Sequence, residues 1–170
     1  MLALCAFEQG LETDPEHRAT LISKASVLSE RLGRDGDALA VMDHLVGLYP
    51  EYAEGISSRG VLRARLGKRK KALEDARRTL ELTRDAFVVY QVGDIYALTS
   101  RQERDDADQA LLLLHEALRK GFGARELPTD PDLKPLHSHP EFRRLLDLAE
   151  NLRKAPHVQS RPQNSGNNPR

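Results

Sequence analysis

Two histidine patterns in the sequence contain residue types that metal sites use. His115 is followed by a glutamate, as in the helical motif of zinc proteases, and His137 and His139 stand two residues apart. Neither pattern is complete: Arg119 stands where the zinc motif needs its second histidine, and only the distant His157 is left to join the pair. The sequence therefore predicts no metal site.

A glycine-rich segment is the one pattern that resembles a phosphate site. Gly121 and Gly123 begin a run like a phosphate-binding loop, but the third glycine is missing and the segment follows a predicted helix rather than a strand. Glycine at the C-terminus of a helix explains it better. Cys5 is the only cysteine, so no disulfide can form within the chain, and no nucleophile stands with a base in a recognisable motif. We expect neither an enzyme nor a cofactor.

One basic cluster, Lys68–Lys71 followed by two arginines in the next helix, has the charge to contact phosphates. Three acidic residues nearby balance it, and no aromatic residues are interleaved with it. The whole chain has 26 basic and 26 acidic side chains, so no net charge favours nucleic acid or an anionic membrane. RNA binding through this turn remains a minor hypothesis.

The amino-acid composition indicates the type of secondary structure that positions these residues. Aromatic residues make up only 5% of the chain and tryptophan is absent, while alanine, leucine, arginine and glutamate are abundant. This composition favours helices. No apolar run approaches the roughly 18 residues of a membrane-spanning helix, and the apolar first residues lack the basic start of a signal peptide. We expect a cytoplasmic protein.

The chain repeats itself at an offset of 34 residues. Each unit reads as a helix, a short turn and a helix, predicted over 16–31 and 36–48, then over 52–65 and 69–83. Glycine at the turns supplies the positive φ that ends a helix. The matched positions are apolar or small: Ile22 with Ile56, Leu28 with Leu62, Leu32 with Leu66, Gly33 with Gly67, Ala38 with Ala72, Leu39 with Leu73, Val46 with Leu80 and Leu48 with Leu82.

The same spacing predicts the organisation of the rest of the chain. We divide it into the second helix of a truncated repeat (1–15), repeat one (16–50), repeat two (51–84), repeat three with a five-residue insertion (85–122), a connector and capping helix (123–153), and a disordered tail (154–170). The second helix of repeat three is predicted over 107–120 and the capping helix over 139–153. Because the sequence opens in mid-repeat, we expect the natural protein to continue upstream.

This pattern resembles the tetratricopeptide repeat, whose 34-residue unit has conserved small, aromatic and proline positions. The signature glycine falls on Gly60 and Gly93, and the central alanine on Ala38, Ala72 and Ala110. The resemblance implies an all-α fold, a right-handed superhelical solenoid of helix-turn-helix repeats with a C-terminal capping helix. It also implies a non-catalytic scaffold that binds a peptide or helix of a partner protein in its concave groove.

The final stretch, Leu111 to Leu146, resembles something narrower. Its helix, Asp-Pro-Asp connector and last amphipathic helix are similar to the end of the repeat region that follows bacterial serine/threonine kinases, especially those of planctomycetes. The alternative function is therefore the regulatory or interaction region of such a kinase. Any kinase activity would lie in sequence outside this chain.

The tetratricopeptide resemblance implies that the first helix of each repeat lines the binding groove. Polar clamps for a partner's terminal carboxylate are replaced here by Ser23, Val27 and Ser58, so an internal peptide or helix is the expected ligand. We expect exposed Tyr90 and the arginines to act as anchors. The predicted partner-binding residues are Lys24, Arg31, Glu54, Ser57, Arg65, Tyr90, Gln91 and Asp94.

Overall fold

The structure is a computed structural model that describes residues 17–154. Helix is the only regular secondary structure in this range. The α-helices are α1 (Arg18–Ser26), α2 (Asp35–Leu48), α3 (Ala53–Arg65), α4 (Arg69–Leu82), α5 (Ala86–Thr99), α6 (Asp105–Arg119) and α7 (Pro140–Lys154). A π-helical turn, Val27–Arg31, continues α1, and a 3₁₀-helix, Pro131–Leu136, lies between α6 and α7. The predicted half-repeat at 1–15 and residues 155–170 of the predicted tail lie outside the described residues.

The helices form three successive hairpins and a final cap. Helix α1 packs on α2, α3 on α4 and α5 on α6, while α2 contacts α3, α3 contacts α5, and α7 packs on α6. Each hairpin thus stacks on the next, which is the arrangement of a repeat solenoid. The predicted all-α repeat solenoid is confirmed.

The helix starts differ slightly from the prediction. Helix α1 begins at Arg18 rather than at residue 16, because the ring of His17 caps it by accepting a hydrogen bond from the backbone N–H of Thr20 at 3.2 Å. Helix α6 begins at Asp105, two residues before the predicted start, and three acids in its first turn favour that end of the helix dipole.

Small residues allow the helices to approach each other closely. A Cβ atom on Gly60 would lie 2.5 Å from the Cδ1 atom of Ile95, and one on Gly93 would lie 2.9 Å from Leu114. Ala72 and Ala110 are completely buried. The small residues of the repeat signature therefore mark the crossings of α3 with α5 and of α5 with α6.

Glycine ends three of the helical segments in the way the sequence predicts. Gly33, Gly67 and Gly121 all have positive φ, between 64° and 92°. After Gly121, the N–H of Phe122 donates to the carbonyl of Ala117 at 3.0 Å, which closes the end of α6. The segment that begins like a phosphate loop is thus a helix C-cap.

A cluster of ion pairs surrounds Asp75 on α4. The guanidinium of Arg63 lies 2.7 Å from the Asp75 carboxylate. Arg59 binds the same carboxylate, also at 2.7 Å, and both arginines reach Asp43 on α2. Asp75 is buried, so two guanidinium groups balance its charge. This cluster joins α2, α3 and α4 on the side of the hairpins.

Candidate binding groove

A groove of ≈ 710 Å³ runs along the first helices of the three repeats. Helices α1, α3 and α5 each supply lining residues, among them Ser26, Ser58 and Gln91. The connector after α6 supplies the other wall, from Phe122 to Asp132. We call this cavity the groove. Its volume is in the range of ligand-binding clefts.

The connector wall is the part that the repeat pattern did not predict. Leu127, Leu133 and Leu136 are fully buried, and the 3₁₀-helix packs against α5. Asp130 caps that helix by accepting a hydrogen bond from the N–H of Asp132 at 2.9 Å. The proline-punctuated segment is therefore a folded element that covers part of the face where α5 would otherwise be open.

Tyr90 lies beneath this wall, and the expectation that it is exposed was wrong. Its side chain is only 3% exposed, its hydroxyl donates to Asp130 at 3.1 Å, and its ring packs edge-on against Phe122. Gly123 fits against the ring because a Cβ atom there would lie 2.8 Å from it. Burial raises the pKa of the Tyr90 hydroxyl, and the nearby carboxylates of Asp94 and Asp130 add to that effect. Tyr90 joins the connector to α5.

Arg65 also stabilises the fold, because its guanidinium forms hydrogen bonds and ion pairs within the chain. It forms a fork with the carboxylate of Asp132, with nitrogen–oxygen distances of 2.7 to 3.1 Å, and donates to the hydroxyl of Ser29 at 2.7 Å. The Asp35 carboxylate lies 3.9 Å away. Burial opposes the charge of Arg65, but the hydrogen bonds and acids around it raise its pKa. Arg65 lines the groove and ties three segments together.

The other predicted residues divide between the groove and its surroundings. Glu54 lines the groove and is exposed, whereas Ser57 is fully buried behind it. The Ser57 hydroxyl donates to the side-chain oxygen of Gln91 at 2.6 Å, and the Gln91 amide donates to Ser58 at 3.2 Å. Gln91 thus bridges α3 and α5 at the groove floor.

Two predicted residues do not line the groove. Arg31 lines a second cavity of ≈ 270 Å³ beside the π-helical turn, and Lys24 lines neither cavity. The π-helical turn changes the rotation of the chain between residues 27 and 31, so the helical spacing assumed for repeat one does not hold there. The turn accounts for the position of Arg31, whereas Lys24 precedes the turn on α1, and a partner-binding role of either residue stays a prediction.

Asp94 lies on α5, lines the groove and is only 6% exposed. Its Oδ1 atom has no hydrogen-bond partner within the described part of the chain. Burial raises the pKa of this carboxyl group well above its usual value, the charges of Asp130 and Asp132 raise it further, and Arg65 lowers it. The sequence placed Asp94 on the groove but gave no sign of its burial.

Most of the charged residues that line the groove are acidic. Arg65 is the only basic residue among the described residues that line it, and its charge is paired with the Asp132 carboxylate. Burial raises the pKa of Asp130 as well, and the Asp132 carboxylate adds to the effect. The six acids are Glu30, Glu54, Asp94, Glu126, Asp130 and Asp132. Because the chain as a whole is neutral, the groove is a local concentration of negative charge.

Residues 17–154 contain no group of three or more histidine, cysteine, aspartate or glutamate side chains arranged to hold a metal ion. Within the same residues, no helix is long and apolar enough to cross a membrane.

The helices form an all-α repeat solenoid with a tetratricopeptide-like fold. Among solved structures, the chain is similar to the crystal structure of MamA, with a TM-score of 0.57 and 16% sequence identity. The match covers 87% of this chain and 85% of MamA. At this identity the likeness concerns the fold. No protein-family model matches the chain, and no curated protein matches its sequence.

Proposed function

We propose that the chain is a non-catalytic protein-interaction scaffold, which holds a peptide or helix of a partner protein in its groove. The observation that carries this proposal is the groove itself, an open cleft of ≈ 710 Å³ along the first helices of three stacked repeats. Phe87 lines it with 38% of its surface exposed. Exposed aromatic rings beside polar groups are typical of protein-binding sites. We expect binding to take place in the cytoplasm.

A bulky substitution inside the groove tests the proposal. Peptides selected on the chain from a random displayed library would be titrated against the variant Ser58→Trp by fluorescence anisotropy. Ser58 lines the groove and is half-buried, so tryptophan would fill the site, and we expect a loss of affinity of about tenfold or more.

Lys71→Trp is the matched control, because it introduces the same side chain on an exposed position of α4 outside the groove. It should bind like the unaltered chain. Equal affinity of the Ser58 variant and this control would place binding elsewhere. Tyr90 and Arg65 are poor probes, since both hold the connector in place.

The kinase alternative rests on the resemblance of Leu111–Leu146 to the repeat regions that follow bacterial serine/threonine kinases. It makes the chain the interaction region of a larger signalling protein. The reading frame upstream of Met1 tests it. A glycine-rich loop, a His-Arg-Asp motif and an Asp-Phe-Gly motif in that frame would support the alternative, and their absence would reject it.

RNA binding through the basic turn has less support. Arg69, within the Lys68–Lys71 cluster, binds the buried carboxylate of Asp106 with distances of 2.8 Å. Its charge therefore helps to join α4 to α6. Affinity for RNA that falls steeply with salt and disappears when the turn is neutralised would support this function.

A further inference from the structure

Asp94 differs from the other aspartates of the groove in having no donor at Oδ1. Asp130 accepts hydrogen bonds from the Tyr90 hydroxyl and from the N–H of Asp132, and Asp132 holds the guanidinium of Arg65. Asp94 is more than nine-tenths buried, yet Oδ1 has no partner in the described residues. A buried carboxylate without a donor is costly, and a donor on a bound ligand would satisfy it.

The charges around Asp94 indicate the sign of the missing group. Asp130 and Asp132 both act on it, and Arg65, the one cation in residues 17–154 that acts on it, is already bound to Asp132. Glu30, Glu54 and Glu126 line the same groove. A cation would therefore be attracted to the groove, whereas a terminal carboxylate would be repelled.

Aromatic rings line the same groove as these acids. The rings of Phe87 and Phe122 lie edge-to-face with centroids 5.3 Å apart, and the Tyr90 ring meets Phe122 at the same distance. All three residues line the groove. Aromatic surface beside carboxylates suits the side chains of arginine and lysine, which have an apolar stem and a charged head.

We propose that the groove binds a partner peptide through an arginine or lysine side chain, whose charged head pairs with Asp94 and Asp130 while its stem lies on Phe87 and Phe122. This inference rests on the proposed function, because it names the chemistry of the ligand for the same groove. Charge complementarity across an interface mainly provides specificity and fast association.

The proposal predicts that binding depends on pH. A cation favours the ionised form of Asp94, so binding in the pH range where that group is protonated must release a proton, and affinity should rise with pH. Asp130, Asp132, Glu126, Tyr90 and Arg65 also face the site, and Asp130 should contribute in the same direction because its pKa is raised too. Salt should weaken binding.

Library-selected peptides provide the test. Each peptide that loses affinity for Ser58→Trp would be resynthesised with its basic residues replaced one at a time by norleucine, which keeps the stem and removes the charge. We expect one replacement in each peptide to weaken binding about tenfold or more, as measured by fluorescence anisotropy. Groove-binding peptides without a basic residue, or with no such loss, would overturn the proposal and leave the proposed function standing.

The matched pair of variants is Asp94→Asn and Glu74→Gln, since each removes one carboxylate and Glu74 is exposed on α4 outside the groove. We expect Asp94→Asn to weaken the basic peptides about tenfold, to leave their norleucine versions unchanged, and to reduce the pH dependence. Glu74→Gln should alter none of these. Equal effects of both variants would contradict the pairing, and a library without any groove binder would overturn the proposed function as well.

The chain's own C-terminal segment is the competing occupant. It contains Arg161 and Arg170, which lie outside the described residues. Replacing both with glutamine in the full chain should leave peptide affinity unchanged. A clear gain in affinity would assign the groove to this segment and would overturn the proposal of a partner peptide.

Discussion

The buried carboxyl group of Asp94 should make the free energy of unfolding depend on pH. The group is buried beside Asp130 and Asp132, and these surroundings raise its pKa well above the usual value of 3.8. The folded chain therefore holds this proton more tightly than the unfolded chain does. As pH rises from about 4 through the pKa of the folded state, this contribution to stability is lost.

The change Asp94→Asn should remove this loss. The free energy of unfolding would be measured by urea denaturation at several pH values. We expect the value for the variant, minus that for the unaltered chain, to increase as pH rises from about 4 to about 8. Glu74→Gln is the control and should follow the unaltered chain. A difference that stays constant with pH would show that Asp94 does not titrate abnormally in the folded chain.

Single residues also show where sequence reasoning reached its limit. Helical spacing placed Tyr90, Arg65 and Asp94 on one face, and all three line the groove. The partners of Tyr90 and Arg65, however, are Asp130 and Asp132, which stand 40 and 67 positions along the chain from them. A local repeat pattern contains no information about such distant contacts. Tyr90 was therefore predicted to be exposed, whereas the connector buries it.

Glycines at helix crossings give a prediction at the scale of elements. Gly60→Ala should lower the free energy of unfolding by about 1–3 kcal/mol, because the new Cβ atom would lie 2.5 Å from the Cδ1 atom of fully buried Ile95. Thermal or urea unfolding would measure this.

Gly47→Ala is the matched control on α2. Nothing lies within 4 Å of a Cβ atom there, and alanine favours a helix over glycine, so the variant should gain about 0.5 kcal/mol. If both substitutions changed the free energy of unfolding by the same amount and in the same direction, the close approach of α3 and α5 would not explain the need for Gly60.

The helices themselves were largely predictable, and the connector was not. The 34-residue offset, the turn glycines and the small crossing residues all reflect contacts within one repeat or between neighbours. The connector lies outside that period. The apolar residues Leu127, Leu133 and Leu136 indicated that it packs somewhere, but the face that it covers depends on the finished stack.

Acidic and basic residues are equal in number but unevenly distributed over the molecule. The chain has equal numbers of basic and acidic residues, yet the groove is lined by six acids and one arginine. Connector and first helices together create this surface, so neither alone forms the site. A neutral composition therefore did not reveal what kind of partner the groove favours, which follows only from where the charges lie.

We propose that the groove between the first helices and the connector binds a partner peptide. Amide chemical shifts of the ¹⁵N-labelled chain, followed during titration with a library-selected peptide, test it most directly. We expect shifts concentrated at Ser58, Gln91, Asp94 and Asp130, with little change along α4. Shifts concentrated on α4 and α6, with the groove unchanged, would contradict it.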